Sequence, residues 1–538
     1  MSDMNPLSIA HLVAEKARIQ PDLDVLTFEN NGAEEVRTYS QLWNNGCRIA
    51  AALSARGVRK GDRFALLLQN HPEFVETMIA AAIVGAVFVP IDPRTRDAKL
   101  AFMLRDSGCV GAVCGDDASE ALAGATASVP NLGWGIVVGD GPVFANSGGL
   151  HIEAMRNVLA APARSLAIAT DSETLPMQIM YTSGTTGDPK GVVVRHARFA
   201  LVAGHGEAVF GYRPGDRPYT GLSLTHGNAQ FVTLAPSLNM GLRAVFSRKF
   251  TKSRLWEVVR RYGCTSFSLL GGMITAIYSE PRRPDDADNP LRLVVSAGMP
   301  AAIWEDFARR FNVEITEFYG AMEGGMTINP AGQGPVGSCG RVAPGLVAKV
   351  VDEDGNEVPP GTPGEIWFRS ADGSPAKVEY FNNPEAARLK TEGGWLHSGD
   401  VVIMDADGWV FFQCRKGGGI RRNGEFISPA FVEKVLAEHP AVDDVFVYGV
   451  PAESGAPGEH DVVAAVTPMD GCVLDPGELF EWCRTRLEPN MIPGFLQLLA
   501  ELPKTASEKV QPRFLFERFR DDPNCVFRRP VSNAVKVA

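Results

Sequence analysis

Tyr181-Thr-Ser-Gly-Thr-Thr-Gly-Asp-Pro-Lys-Gly191 stands between two apolar runs, Met177 to Tyr181 and Gly191 to Val194. Both runs read as strands, so the segment is a Gly/Thr-rich loop between strands. Small residues let a backbone approach an anion closely, and exposed N–H and hydroxyl groups can cradle phosphate oxygens. Lys190 adds a mobile positive charge. Thr182, Ser183, Gly184, Thr185, Thr186 and Lys190 are therefore candidate phosphate contacts. The loop is not a Walker A motif: counted from Gly184, the second glycine would fall at Pro189, and Lys190 is followed by Gly191 instead of Ser or Thr. A strand follows it, where a Walker A loop leads into a helix. The bland alternative is a surface turn.

Outward from this loop, helix-period stretches alternate with short β-branched runs. Arg63 to Leu68, Ala86 to Val89, Val110 to Val113 and Gly135 to Val138 read as buried strands. Glu73 to Val84 and Lys99 to Asp106 read as helices between them. Leu291 to Ser296 and Val313 to Phe318 repeat the strand pattern. The alternation predicts an α/β fold with largely parallel sheets. Near Val347 the pattern changes, and Val351-Asp-Glu-Asp-Gly-Asn-Glu357 reads as a hairpin turn. Three glycines, Gly417 to Gly419, follow a basic pair and mark a boundary. A smaller C-terminal unit is expected from there to about Phe519, and then a loose tail.

The chain has 538 residues, more than one hydrophobic core supports, so two or more domains are expected. A net charge of −11 argues against non-specific binding to nucleic acid or to an anionic membrane. The longest apolar run, Met78 to Ile91, is shorter than the roughly 20 residues of a membrane span and holds Gly85 and Pro90. It reads as a buried helix leading into a strand. Met1 to Pro21 mixes charges into its apolar residues and lacks the apolar core of a signal peptide. Nine scattered cysteines without a CxxC pair read as reduced thiols, and a cytoplasmic location is expected.

Further motifs lie downstream: Leu224-Thr-His-Gly227, Ser296-Ala-Gly-Met-Pro300, Tyr319-Gly-Ala-Met-Glu-Gly324, Trp395-Leu-His-Ser-Gly-Asp400, Arg415, Arg421-Arg-Asn-Gly-Glu-Phe-Ile427 and Leu502-Pro-Lys-Thr-Ala-Ser-Glu-Lys-Val510. Taken singly, each is a strand-to-helix turn, a solvated charge or a satisfied histidine. Taken in this order with the 181–191 loop, they resemble the adenylate-forming superfamily of acyl-CoA synthetases, peptide-synthetase adenylation domains and luciferases. The resemblance runs from roughly residue 10 to residue 515.

The resemblance implies a large N-terminal domain, residues 1–414, with parallel-rich sheets and a β-barrel-like subdomain. A hinge at 415–419 and a small, mobile α+β C-terminal domain at 420–538 would follow. It implies a catalytic set of Lys509, Glu323, Thr186 and His226, with Glu323 holding Mg²⁺. Tyr319 would stack on adenine, and Gly298 and Gly320 would bring backbone beside the nucleotide. Asp400 and Arg415 would reach the ribose hydroxyls, and Gly424 would border the entering pantetheine thiol. Three positions depart from the family pattern: Met322 replaces Thr, Gly417 replaces Asp or Lys, and Glu508 replaces Gly.

The implied activity is an ATP-dependent acyl-CoA ligase. It would form acyl-AMP with release of pyrophosphate and then, after domain rotation, pass the acyl group to coenzyme A. The expected partners are ATP, Mg²⁺, coenzyme A and a small-molecule carboxylic acid, with no nucleic acid and no stable membrane insertion. A homodimer is compatible with the sequence. The alternatives are a stand-alone enzyme that loads a carrier protein, and a non-catalytic adenylate-binding protein. Only 29 residues follow Lys509, so no carrier domain is fused in this chain. Arg421, Arg422, Arg484 and Arg486 could meet the 3′-phosphate of coenzyme A or form a solvated face. Pocket candidates are His226, Gly227, Phe231, Gly272, Met273, Ala297, Ala321, Gly325 and Met326, which suggest an uncharged acyl group. The C-terminal motifs resemble those of carnitine-type, medium-chain and cyclic-acid ligases. A quaternary ammonium acid would need an acidic or aromatic cage, to which only Phe231 would contribute.

Overall fold

Met78 to Ile91 folds as its composition predicts. The helix Pro72–Val84 is buried along its whole length, Gly85 ends it with φ 75°, and the strand Val87–Pro90 follows. A helix buried on all faces lies inside a large core, and this one lies between two sheets. The structure is a computed structural model that describes residues 7–141, 150–164, 166–182, 189–416, 420–422, 425–427, 429–452, 460–505 and 510–530.

Among the described residues the strands form five sheets. The seven-stranded sheet runs in the order 151–154, 134–138, 109–115, 63–67, 87–90, 176–182 and 190–195. Its neighbours are parallel up to the last pair, where Pro176–Thr182 and Lys190–Arg195 run antiparallel and flank the Gly/Thr-rich loop. The nine-stranded sheet is parallel through its middle, from Asp24–Asn30 to Glu314–Ala321, with antiparallel strands at both ends. Parallel strands covered on both faces need continuous apolar runs, and Leu293–Ala297 and Cys109–Gly115 supply them.

A four-stranded antiparallel sheet follows, built from Leu346–Val351, Pro363–Ser370, Leu396–Met404 and Val410–Arg415. A bridge from Gly340 to Val410 ties its last strand back to the segment entering Arg341–Val342 at the edge of the nine-stranded sheet. Gly340 has φ 111°, and a Cβ there would lie 2.0 Å from the Ile328 carbonyl carbon, so no other residue fits. The turn at 351–357 forms, with Asp352 accepting from the Asn356 N–H at 2.9 Å. The expected hairpin closes there through an antiparallel bridge from Val351 to Glu357 and the Val358 N–H donating to the Val350 carbonyl at 2.9 Å, and the long partner strand resumes at Pro363. Pro359 and Pro360 lack the N–H groups that would extend the ladder.

The C-terminal part has a four-stranded sheet, Val442–Pro451, His460–Pro468, Phe495–Leu498 and Val526–Arg528, with the helices Pro429–Ala437, Pro476–Arg484 and Pro512–Asp521. Its apolar clusters, one around Val462 and Leu496 and one around Tyr448 and Leu515, share no residue with the large N-terminal core. Lys252 spans the two parts, with its ammonium 3.2 Å from Glu280 and also paired with Asp443. All nine cysteines are free thiols. Among the described residues no helix is long and apolar enough to cross a membrane.

Candidate active site

Two neighbouring clusters gather the described motif residues. The first begins at the end of the strand Glu314–Ala321, where the register slips between Gly320 and Ala321. A bulge at such a point re-aims the following side chain, here Glu323. The Glu323 carboxylate accepts a hydrogen bond from the Tyr380 hydroxyl at 3.0 Å. The Tyr380 ring carries the Lys190 ammonium 5.6 Å from its centroid. The Tyr380 segment is held by a bridge to Val192 and by the Phe381 N–H donating to the Gly191 carbonyl at 2.7 Å. Lys190 and Glu323, more than a hundred residues apart, are thus brought to one tyrosine, Lys190 over its ring and Glu323 at its hydroxyl.

The second cluster forms where the four-stranded sheet meets the nine-stranded one. Asp400 is buried and pairs in register with Arg415 on the adjacent strand. Its carboxylate accepts from the Tyr319 hydroxyl at 2.5 Å and from the Arg415 guanidinium at 3.3 Å. Burial and the Asp400 charge push the Tyr319 hydroxyl pKa up, so it stays a proton donor. The Tyr319 ring stacks on Phe368 at 6.1 Å and an interplanar angle of 15°. A carboxylate that already receives two donors in a dry setting is a fixed acceptor for a vicinal diol.

Gly298 sits in the turn after the strand Leu293–Ala297 with φ 99°. It packs on Gly271, where a Cβ would lie 2.8 Å from the Gly298 carbonyl oxygen. The turn is held from below by Glu317, whose carboxylate accepts from the Gly298 and Met299 N–H groups, the latter at 3.2 Å. Burial raises the Glu317 carboxyl from 4.5 to about 7, against the lowering effect of those donors. A group raised in the folded state stabilises the fold fully below its unfolded pKa, and that stabilisation is lost as pH rises through the folded value. Between about 4.5 and about 7, Glu317 therefore makes the wild-type protein less stable with rising pH. Glu317→Gln is expected to flatten this slope, read as melting temperature against pH. A variant profile that runs parallel to wild type across that window would show that Glu317 does not titrate there.

A cavity of about 470 Å³ is lined by Lys190, Tyr380, Lys390, His397, Gly399 and Lys416, among others. The half-buried Lys390 donates to the Ser398 carbonyl at 2.9 Å. Burial lowers its pKa, while Glu323, Asp400 and Glu365 oppose the shift. His226 is half-exposed, and its backbone N–H donates to the Ser223 carbonyl at 3.0 Å. A Cβ on Gly227 would meet the Met322 sulfur at 2.5 Å, so Met322 fills space left by a glycine. Asn228–Leu234 is a π-helical turn that carries Phe231 beside them, a geometry that recurs at functional sites.

Of the motif residues, Thr182, Lys190, His226, Gly298, Tyr319, Gly320, Glu323, Asp400 and Arg415 are described and fall in this region. Ser183, Gly184, Thr185, Thr186, Gly417, Gly424 and Lys509 lie outside the described residues. Tyr380, Glu317, Lys390 and Arg198 were not singled out by sequence reading. The basic residues near the junction are partly committed elsewhere: Arg422 donates to the Ile492 carbonyl at 2.9 Å, and Arg484 pairs with Glu481 at 2.6 Å. Arg486 lies 3.5 Å from the Trp482 ring centroid. Among the described residues no group of three His, Cys, Asp or Glu side chains forms a metal cage. One carboxylate such as Glu323, completed by substrate phosphates and water, suits Mg²⁺, which keeps most of its shell from outside the protein.

Two family models match the chain: AMP-binding enzyme over residues 13–375, and AMP-binding enzyme C-terminal domain over residues 432–509. A crotonobetaine/carnitine–CoA ligase of Salmonella paratyphi A is 28% identical over 504 residues, covering 92% of this chain and 96% of that protein. A medium/long-chain-fatty-acid–CoA ligase, FadD17, of Mycobacterium marinum is 30% identical, covering 88% and 89%. The crystal structure of the anthranilate CoA ligase AuaEII with anthranoyl-AMP has the same fold. Its TM-score is 0.83 at 24% identity, over 96% of this chain and 98% of that one. With the Tyr319–Asp400–Arg415 and Lys190–Tyr380–Glu323 clusters in place, these matches show that the chain belongs to the AMP-binding enzyme family and is an enzyme of the adenylate-forming acyl-CoA synthetase type.

Proposed function

We propose that the protein is an AMP-forming acyl-CoA ligase. An acid carboxylate oxygen attacks the α-phosphorus of ATP, pyrophosphate leaves, and acyl-AMP forms. The thiol of coenzyme A then attacks the acyl carbon, and AMP departs with the carboxylate oxygen. The observation that carries the reading is the pairing of Asp400 with Tyr319 and Arg415, one cluster away from Lys190 and Glu323. An acceptor suited to a ribose and a cation with a carboxylate suited to a polyphosphate are close enough that Glu323 and Asp400 both act on the charge of Lys390, which supports one nucleotide reaching both.

In this reading Asp400 accepts from the ribose hydroxyls while Arg415 and Tyr319 hold its orientation. Lys190 and the loop 182–190 neutralise the β- and γ-phosphates, and Tyr380 orients Glu323. A Mg²⁺ ion on Glu323 would supply charge neutralisation at the phosphates. Lys509 contributes the last positive charge at the reacting oxygens. A carboxylate is a poor electrophile, so the protein's contribution is positioning and electrostatic stabilisation, with no nucleophilic side chain required. Residues 1–414 and 420–538 act as two bodies joined at 415–419. Rotation about that hinge withdraws Lys509 and presents Gly424 to the thiol.

The reading is tested with the purified chain, ATP, Mg²⁺, an acid panel and coenzyme A, with no carrier protein. Acyl-CoA detected by mass supports it. Acyl-AMP that accumulates without acyl-CoA, and is discharged only by an added carrier protein, would replace coenzyme A as the acceptor. Gly424→Leu is expected to keep ATP–pyrophosphate exchange and lose acyl-CoA release. Undiminished release from this variant would place the thiol passage elsewhere.

A further inference from the structure

The helix His196–Gly204 carries Arg198, which is partly buried. Its guanidinium donates to two consecutive carbonyls, Ala321 at 2.8 Å and Met322 at 2.6 Å, immediately before Glu323. It also lies 5.7 Å from the centroid of the Phe231 ring. Arg198 is closely surrounded by protein, and burial pulls its pKa down, with Glu323 as the opposing charge. It nevertheless keeps accessible surface, as do His226, Gly227, Ala321 and Met322 around it. Arg198 is therefore not sealed in a core. Among the described residues no carboxylate forms an ion pair with it. Its fixed partners are two neutral carbonyls.

A partly exposed guanidinium held in place by carbonyls, beside Phe231 and next to the Gly227–Met322 contact, is suited to receive an anion. Two neutral acceptors leave a charge that Glu323 offsets only through space, and the neighbouring apolar groups strengthen its attraction for an anion that enters. Two of its five N–H donors reach the carbonyls, which fixes the plane of the fork and leaves donors for a planar acceptor. The anion available on the acyl side is a carboxylate of the acid. Resting on the ligase reading above, we propose that Arg198 is a specificity-determining residue whose guanidinium pairs with a carboxylate of the acid substrate, either the reacting one or a second one. The proposal departs from the sequence-based expectation of an uncharged acyl group, because it adds a cation from a helix outside the motifs considered.

The test is ATP–pyrophosphate exchange with wild type, Arg198→Met and Arg198→Lys on matched acids: butanoate and butanedioate, hexanoate and hexanedioate, benzoate and benzene-1,4-dicarboxylate. Arg198→Met is expected to raise KM for the acid by about 30-fold while KM for ATP stays within about two-fold, the size of one lost charge-assisted contact. Arg198→Lys is expected to recover part of that loss. Equal losses for both members of a pair assign the guanidinium to the reacting carboxylate. A loss confined to the dicarboxylic acids assigns it to a second carboxylate. An acid KM that moves less than about three-fold, or ATP and acid KM values that rise together, would mean that Arg198 only braces the Ala321 and Met322 carbonyls, and the inference falls. If Arg198→Met is insoluble, Arg198→Lys carries the same comparison, since a single ammonium cannot reproduce the fork. Wild-type exchange that is absent for every acid despite ATP binding would overturn the ligase reading, and this inference with it.

Discussion

Lys509→Ala is expected to lose adenylation by about 100- to 1,000-fold, the usual cost of removing one charge aimed at a developing anion. Thioester formation from pre-made acyl-AMP should stay within a few-fold of wild type. The asymmetry follows from the proposed domain rotation: a single lysine cannot serve both half-reactions if the C-terminal body turns between them. The two rates are measured separately, as ATP–pyrophosphate exchange and as acyl-CoA release from added acyl-AMP. Equal losses in both would mean that Lys509 stays at the site throughout, or that its loss unfolds the C-terminal part. The C-terminal part has its own apolar clusters, so circular dichroism and melting separate those two outcomes.

Glu323→Gln should reduce adenylation by about 100-fold and move the Mg²⁺ requirement to higher concentration, since an amide retains the shape but not the charge of a metal ligand. Folding should be almost untouched, with the melting temperature within about 3 °C. The reason is geometric. The side chain is half-exposed, and its described hydrogen bond is one accepted from Tyr380, which an amide oxygen can also accept. A variant that melts well below wild type but keeps its turnover and Mg²⁺ dependence would make Glu323 a structural residue.

Much of the architecture was legible because its determinants are local. Buried parallel strands require unbroken apolar runs, and Arg63–Leu67, Cys109–Gly115 and Trp134–Val138 lie within a residue or two of where those runs fall. The strand pair that frames the Gly/Thr-rich loop was legible for the same reason. The hairpin turn after Val351 was legible because Asp352 and Gly355 carry it locally, whereas the delay of the long partner strand to Pro363 was not. At the site, Tyr319, Glu323, Asp400 and Arg415 could be marked because each stands in a motif. Their assembly into two clusters comes from strand register and from a bulge, neither of which is written locally. Tyr380, Lys390, Glu317 and Arg198 escaped for a different reason. Each is a long or buried side chain that reaches a motif residue from a separate element, so its relevance exists only in three dimensions. Arg198 lies eight residues after Lys190, and no periodicity signals that it turns toward Ala321. The parts on which the two-step scheme most depends, Thr186, Gly417, Gly424 and Lys509, rest on motif identity, and mutagenesis has to carry them.

The most direct test of the two-step scheme follows one oxygen atom. An acid labelled with ¹⁸O in its carboxylate is turned over with ATP, Mg²⁺ and coenzyme A, and the AMP and pyrophosphate are analysed by mass. If the acid is activated by attack on the α-phosphorus, each AMP carries one labelled oxygen and pyrophosphate carries none. Label in inorganic phosphate with formation of ADP, or acyl-CoA formed alongside unlabelled AMP, would contradict an acyl-adenylate intermediate and the ligase mechanism built on it.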